Sequence, residues 1–152
     1  MKNYFYFLTF SMLLVGCKSA TSKSQSLNYS SQSSFASVEE ANQIKWLDIL
    51  SQSEEEYNVY VFSKTCYHCL KLKPLMEEFK KTNKLYLVEL DESIPIKSEV
   101  GNLKGVEDVN SLYILGTPTL FKIKEKKIEE CLIGYNQIET YIKEIWYSIE
   151  RT

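Results

Sequence analysis

The run from Tyr57 to Phe62 is the feature that most restricts how this chain can fold. It is rich in β-branched and aromatic residues and does not alternate between apolar and polar side chains. Such a run is typical of a strand buried on both faces, because an exposed face would place polar residues at every second position. A strand of this kind needs a layer of structure on each side of its sheet, which favours an α/β fold.

Helical and β-rich patterns alternate along the rest of the chain. Helices are predicted at 37–51 (capped by Ser37 and Glu40), at 66–82, near 107–112, and after a cap formed by Asn136 and Glu139. Strands are predicted at 57–62, 85–90, 119–123 and 128–133. The last two strands are close enough in sequence to form a hairpin. This order predicts an α/β fold with a central mixed β-sheet flanked by helices.

Composition excludes several function classes. The chain has 152 residues, with 18 basic and 20 acidic side chains and a net charge of −2. This balance lacks the electrostatic footprint of a nucleic-acid-binding protein, so we expect no nucleic-acid partner. Its single histidine leaves little room for a histidine-based metal site, and its 4 cysteines are too few for a disulfide-built miniprotein.

The chemistry of the chain is predicted at Cys66-Tyr67-His68-Cys69, where a buried strand runs into a helix. Backbone N–H groups and the helix dipole stabilise an anion at a helix N-terminus, and a thiolate is the species that attacks disulfides. We therefore expect Cys66 to attack and Cys69, one turn further in, to resolve the mixed disulfide. Tyr67 and His68 are the candidates for tuning the pKa and the reduction potential, His68 by stabilising the thiolate.

Other uses of two cysteines in this spacing can be weighed. A zinc site usually takes two pairs of ligands, whereas Cys17 and Cys131 are isolated in the sequence. A c-type haem requires histidine directly after the second cysteine, where this chain has Leu70. An inert structural disulfide stays open, although so short a loop constrains the unfolded chain little. Cys131 is interpreted as a small buried hydrophobic residue.

Several separated marks surround this motif, over roughly residues 39–150. A β-rich strand (59–62) leads into the CxxC motif, and Pro74 follows inside the predicted helix. Later come a strand that ends in aspartate (87–91), a Thr-Pro loop (116–120) and Gly134 after the last strand. Together these marks resemble the thioredoxin superfamily, which has a proline in the active-site helix, a cis-proline loop and a glycine after the last strand.

The resemblance implies a thioredoxin-like fold and a thiol–disulfide oxidoreductase acting on protein disulfides or dithiols, with no metal or organic cofactor. It further implies that Pro118 is cis and faces Cys66, and that the backbone of Thr117 pairs with an extended substrate segment. The direction of the reaction, as oxidant, reductant or isomerase, stays open, and the redox partner is unidentified.

This chain departs from the family in three places. Thr65 stands where thioredoxins often have tryptophan, and Tyr60 stands where the family has a buried acid that takes the proton of the resolving thiol. The connection between Asp91 and Pro118 is also long, which indicates either a substrate-facing insertion or a longer crossover. These departures keep a second hypothesis open: a non-catalytic thioredoxin-like binding or accessory module of an envelope or export system.

The N-terminal segment predicts the compartment. The apolar run from Tyr4 to Val15 would span about 18 Å as a helix, too short for a hydrocarbon core of about 30 Å, and so favours a signal peptide. The sequence Leu14-Val15-Gly16-Cys17 resembles the lipobox of bacterial lipoproteins, which implies lipidation of Cys17. We predict a signal peptide (1–16), a Ser-rich tether (17–38) and a thioredoxin-like domain (39–152), monomeric and lipid-anchored on the extracytoplasmic face of a bacterial cell membrane.

Overall fold

A computed structural model describes residues 42–99 and 101–151. The regular elements of these residues are the strands β1 (Glu56–Phe62), β2 (Leu85–Glu89), β3 (Thr119–Lys124) and β4 (Lys127–Ile133), the helices α1 (Tyr67–Phe79) and α2 (Gly134–Ile149), and the 3-10 helices Trp46–Asp48 and Val109–Ser111. Each predicted strand is therefore present, with its ends within one residue of the prediction.

The strands form one mixed sheet in the order β2-β1-β3-β4. Strand β1 is parallel to β2 and antiparallel to β3, so that Val59 lies between Tyr86 on one side and Phe121 on the other. The β3–β4 pair is the predicted antiparallel hairpin. With the CxxC helix directly after the central strand and a helix after the hairpin, this arrangement confirms the predicted thioredoxin-like α/β fold.

Both faces of β1 are buried, as its sequence predicts, and every residue of the strand except Glu56 is inaccessible to solvent. Tyr60 and Phe62 lie on one face, in a cluster with the apolar residues of α1 and α2. Tyr57, Val59 and Val61 lie in a second cluster on the other face. Because hydrophobic burial is the main force favouring folding, a strand buried on both faces contributes strongly to the stability of the fold.

The prediction of a helix at 37–51 is wrong for residues 42–51, the part that the structure describes. The helical structure in this part is one short 3-10 helix, Trp46–Asp48. The chain instead runs along the outer edge of β2. Ile44 N–H donates to the carbonyl of Leu87, and Leu87 N–H donates to that of Asn42, each at 2.9 Å. An uncovered edge would leave the backbone groups of β2 without partners, and pairing them outweighs the helical spacing of the side chains.

The long connection between β2 and β3 covers the second face of the sheet. It buries Ile94, Leu103, Leu112 and Ile114 in the cluster that contains Val59. Two of its own residues, Ile96 and Ile114, form an isolated β-bridge outside the strands of the sheet. The short helix predicted near 107–112 is present as the 3-10 helix Val109–Ser111. This connection is therefore a crossover that supplies a layer of the fold.

Helix α2 begins two residues before its predicted cap. Ile133 is the N-cap residue, and its N–H donates to the side-chain oxygen of Gln137 at 2.8 Å, while Asn136 lies in the first turn. Gly134 has a φ of +80°, a conformation that glycine adopts without strain, and this lets β4 turn directly into the helix.

The predicted signal peptide, Cys17, the whole predicted tether and the capping box of the predicted first helix lie outside the described residues. Among residues 42–99 and 101–151, no helix has both the length and the hydropathy needed to cross a membrane.

Candidate redox site

Cys66 is the N-cap residue of α1. Its backbone is extended, its Sγ accepts a hydrogen bond from Cys69 N–H at 3.1 Å, and its carbonyl oxygen accepts one from Leu70 N–H at 3.0 Å. The loop before it is closed by Cys66 N–H, which donates to the carbonyl of Ser63 at 3.1 Å. The sulfur thus occupies the place that a serine or aspartate oxygen takes at most helix starts, where backbone donors and the helix dipole favour a negative charge.

Cys66 and Cys69 form a disulfide, with their Cα atoms 5.2 Å apart. The two residues differ in access, because Cys69 is fully buried whereas Cys66 is partly exposed. A partner protein would therefore reach the sulfur of Cys66 first. This asymmetry suits the predicted division between an attacking and a resolving cysteine.

The predicted substrate loop lies against Cys66. The Thr117–Pro118 peptide bond is cis, as the resemblance implies, and the carbonyl oxygen of Thr117 lies 3.4 Å from Cys66 Sγ. The loop is fixed from below, because Gly134 N–H donates to the carbonyl of Pro118 at 2.8 Å. The structure therefore brings together four of the predicted site residues, which lie up to 52 positions apart in the chain.

Tyr67 and His68 lie on the surface beside the disulfide. Tyr67 is 72% exposed, and its ring makes an edge contact with the imidazole of His68 at 5.5 Å between centroids. The imidazole in turn contacts the ring of Tyr135, from α2, at 6.0 Å. Their proposed effect on the pKa of Cys66 and on its reduction potential remains a prediction.

Tyr60 occupies the position where the family resemblance implies an acid. It is completely buried in the apolar cluster that also contains Cys69, and within the described part of the chain its hydroxyl has no hydrogen-bond partner. Burial raises the pKa of the Tyr60 phenol well above its usual value, because the phenolate would lose its hydration. Tyr60 therefore remains protonated at neutral pH, and it cannot take a proton from Cys69.

Sequence reasoning missed three side chains at this site. Lys64 forms an ion pair with Glu89 at 2.8 Å and so joins the loop before Cys66 to the end of β2. Lys71 places its Nζ 4.3 Å from the centre of the Tyr135 ring. Tyr135 follows Gly134 at the start of α2 and contacts the CxxC helix. No local sequence pattern predicts this contact, because it depends on how the two helices pack.

Two further observations concern metal-binding groups and the remaining cysteine of the described residues. No group of three or more His, Cys, Asp or Glu side chains in the described ranges is placed to hold a metal ion. Cys131 is a free cysteine on β4, opposite Phe121 of β3, and only partly exposed. Burial raises the pKa of its thiol to about 11.

The sequence matches no protein-family model and no curated protein. Solved thioredoxins are similar in structure. One from Halobacterium salinarum is 14% identical with a TM-score of 0.45, and the match covers 70% of this chain and 90% of that one. One from Plasmodium falciparum is 21% identical with a TM-score of 0.44, and the match covers 68% of this chain and 97% of that one. Thioredoxin f2 of Chlamydomonas reinhardtii is 13% identical with a TM-score of 0.44, and the match covers 68% of this chain and 91% of that one. These likenesses are low, so the fold assignment comes from the strand order, the strand directions and the positions of the helices.

Proposed function

We propose that this protein is a thiol–disulfide oxidoreductase that acts on protein disulfides or dithiols through Cys66 and Cys69. The observation that supports it most strongly is the N-cap position of Cys66, whose sulfur accepts the N–H of Cys69 at 3.1 Å. A hydrogen bond and a helix dipole directed at this sulfur stabilise the thiolate over the thiol. The reduced protein would thus present a nucleophile at neutral pH.

In the proposed reaction, the Cys66 thiolate attacks one sulfur of a substrate disulfide. A bond forms between Cys66 and that sulfur, and the other substrate sulfur leaves as a thiolate. Cys69, as a thiolate, then attacks the sulfur of Cys66, which forms the Cys66–Cys69 disulfide and releases the second substrate sulfur. Two electrons pass to the substrate, and the same steps in reverse oxidise a substrate dithiol.

The substrate segment is proposed to lie along Thr117 and Pro118. The carbonyl of Thr117, 3.4 Å from Cys66 Sγ, would accept a hydrogen bond from the backbone of an extended segment whose cysteine reacts with Cys66. A backbone carbonyl accepts a hydrogen bond from the backbone of a segment of any sequence. This contact would therefore position a substrate without selecting among substrates.

The direct test is the reduction of insulin by the detergent-solubilised protein with dithiothreitol as the reductant. The wild-type protein is expected to accelerate the reaction, and Cys66→Ser to give only the rate of dithiothreitol alone. Cys69→Ser serves as the matched control for mechanism, because it is expected to stop at a mixed disulfide between Cys66 and the substrate. Failure of this intermediate to form would contradict the assigned order of attack.

The proposed location is the extracytoplasmic face of a bacterial membrane, with a lipid on Cys17 and the residues that follow as a tether. The support is the run Leu14-Val15-Gly16-Cys17 after a short apolar segment. Acyl chains stably retain a protein at a membrane when two or more are present. We expect the wild-type protein to partition into detergent and Cys17→Ala to stay in the aqueous phase. A wild-type protein recovered in the aqueous phase would refute the anchor.

A second candidate is a thioredoxin-like binding or accessory module whose disulfide does not turn over. The observation that favours it is Tyr60, a buried phenol at the position where the family resemblance implies the acid that takes the proton of the resolving thiol. Equal rates for the wild-type protein and Cys66→Ser in the insulin assay would support this module over the enzyme.

A further inference from the structure

We propose that a surface beside Cys66 selects substrate segments that carry an acidic side chain next to the reacting cysteine. This surface consists of Tyr67, His68, Lys71 and Tyr135, and we call it the aromatic–lysine surface. The proposal rests on the proposed function, because it concerns which protein disulfides Cys66 would attack.

The aromatic–lysine surface is continuous and begins at the residue after Cys66. Tyr67 contacts His68 at 5.5 Å, His68 contacts Tyr135 at 6.0 Å, and the Nζ of Lys71 lies 4.3 Å from the centre of the Tyr135 ring. Tyr67, His68 and Lys71 are exposed, whereas Tyr135 is half-buried and packs against the cluster around Cys69. A segment whose cysteine reaches Cys66 would therefore meet these side chains with its neighbouring residues.

The aromatic–lysine surface carries the positive charge of Lys71, and none of its four residues is acidic. The first turn of α1 contains no acidic residue. Glu139 is the nearby carboxylate, but it accepts hydrogen bonds from Lys143 at 2.9 Å and from the hydroxyl of Tyr135 at 2.8 Å. No carboxylate in the described residues lies within salt-bridge distance of Lys71, whose ammonium instead faces a ring. An incoming aspartate or glutamate could add an ion pair to this cation–π contact.

The exposed ring of Tyr67 would bury apolar side chains of a substrate segment. The preference for an acidic side chain would come from Lys71. Opposite charges at the edge of an interface increase the rate of encounter, and like charges oppose it. A lysine beside the reacting cysteine should therefore be disfavoured. The competing explanation is that Lys71 and Tyr135 only tie α1 to α2, in which case the substrate's charge would not matter.

The test uses fluorogenic peptides of one sequence, each closed by one disulfide, with Glu, Gln or Lys beside the reacting cysteine. We expect kcat/KM of the wild-type protein to be about three- to fivefold higher for the Glu peptide than for the Lys peptide at low salt, the range for an exposed ion pair. This ratio should fall towards one in about 0.5 M salt, because exposed charges are screened.

Two lysine variants make the test specific. Lys71→Gln is expected to bring the Glu-to-Lys ratio close to one, whereas Lys81→Gln, which removes one charge near the far end of the same helix, should leave it unchanged. A ratio that is the same in the wild-type protein and Lys71→Gln, or that falls equally in both variants, overturns the proposal. Reduction of all three peptides at equal rates also overturns it but leaves the proposed function intact. Reduction of none by the wild-type protein removes both.

Discussion

Cys66 and Cys131 are the same side chain in two opposite environments. Cys66 caps a helix, accepts a backbone N–H, is partly exposed and is bonded to Cys69. Cys131 lies on the edge strand β4, packed against the apolar cluster beneath the crossover, and burial raises the pKa of its thiol to about 11. We therefore expect the reactivity of each cysteine to follow from its position, at the start of a helix for Cys66 and within a partly buried strand for Cys131.

Replacing each of these cysteines should give the largest contrast. Cys66→Ser removes the sulfur that forms the mixed disulfide, so insulin reduction should fall to the rate without protein. Cys131→Ser removes a thiol that stays protonated at neutral pH and that we expect to take no part in the exchange, so the rate should change less than about twofold. An equal loss of rate in both variants would show that Cys131 participates in the reaction.

Alkylation of the reduced protein should separate the two thiols by at least about a hundredfold in rate at pH 7. A thiol with a pKa of about 11 is ionised in only about one molecule in 10⁴ at this pH, and the thiolate is the form that reacts. Since raising the pH ionises Cys131 and leaves an already ionised Cys66 unchanged, the two rates should converge towards pH 11. Iodoacetamide labelling followed by peptide mass analysis measures both rates in one sample. If the alkylation rates of Cys66 and Cys131 rose in parallel with pH, the predicted difference between their pKa values would be contradicted.

His68→Phe should make the Cys66 thiolate less stable, and we expect this effect to be smaller than that of replacing Cys66 itself. Loss of the imidazole removes a polar donor next to the thiolate, so the thiolate becomes less stable and the dithiol form less favoured. We expect the reduction potential of the couple to become more negative by about 15–30 mV, that is, up to about a tenfold change in its equilibrium constant with glutathione. Lys81→Gln is the control. A potential unchanged by His68→Phe would contradict the predicted tuning by His68.

The smallest expected effect concerns the residue beneath the disulfide. The Tyr60 hydroxyl is buried without a hydrogen-bond partner in the described structure, and leaving such a group unpaired costs about 1–3 kcal/mol. Tyr60→Phe keeps the ring that stacks parallel to Phe62 at 6.1 Å, so it should raise the free energy of unfolding by about 1 kcal/mol. Urea denaturation of the oxidised protein measures this. A loss of stability would instead reveal a partner for the hydroxyl, such as a bound water molecule.

The sequence was sufficient to predict the strands and the redox pair because both depend on local patterns. The β-rich run at 57–62 needed no partner to be recognised, and the spacing of Cys66 and Cys69 at a strand-to-helix junction is itself local. The cis bond before Pro118 required the family resemblance, since the proline alone does not indicate it.

The features that were missed depend on contacts between distant segments. Residues 42–44 belong to a run whose apolar residues recur at helical spacing, yet their backbone pairs with the edge of β2. Hydrogen bonds to the free backbone groups of an edge strand outweigh the weak local preference for a helix. The contact of Lys71 with Tyr135 arises only when α1 and α2 pack together. The start of α2 was misplaced because Gln137, and not the side chain of Asn136, satisfies the N-cap backbone.

The pKa of Cys66 in the reduced protein tests the central claim most directly. The thiolate absorbance at 240 nm can be titrated in the reduced Cys131→Ala variant, in which Cys66 and Cys69 are the two thiols of the described residues. The first transition is assigned to Cys66, because Cys69 is buried. A sulfur held at a helix N-terminus with a backbone donor should ionise with a pKa below about 7.5, whereas an ordinary cysteine ionises near about 8.5. A first transition at or above 8.5 would contradict the account, since Cys66 would then be a thiol at neutral pH.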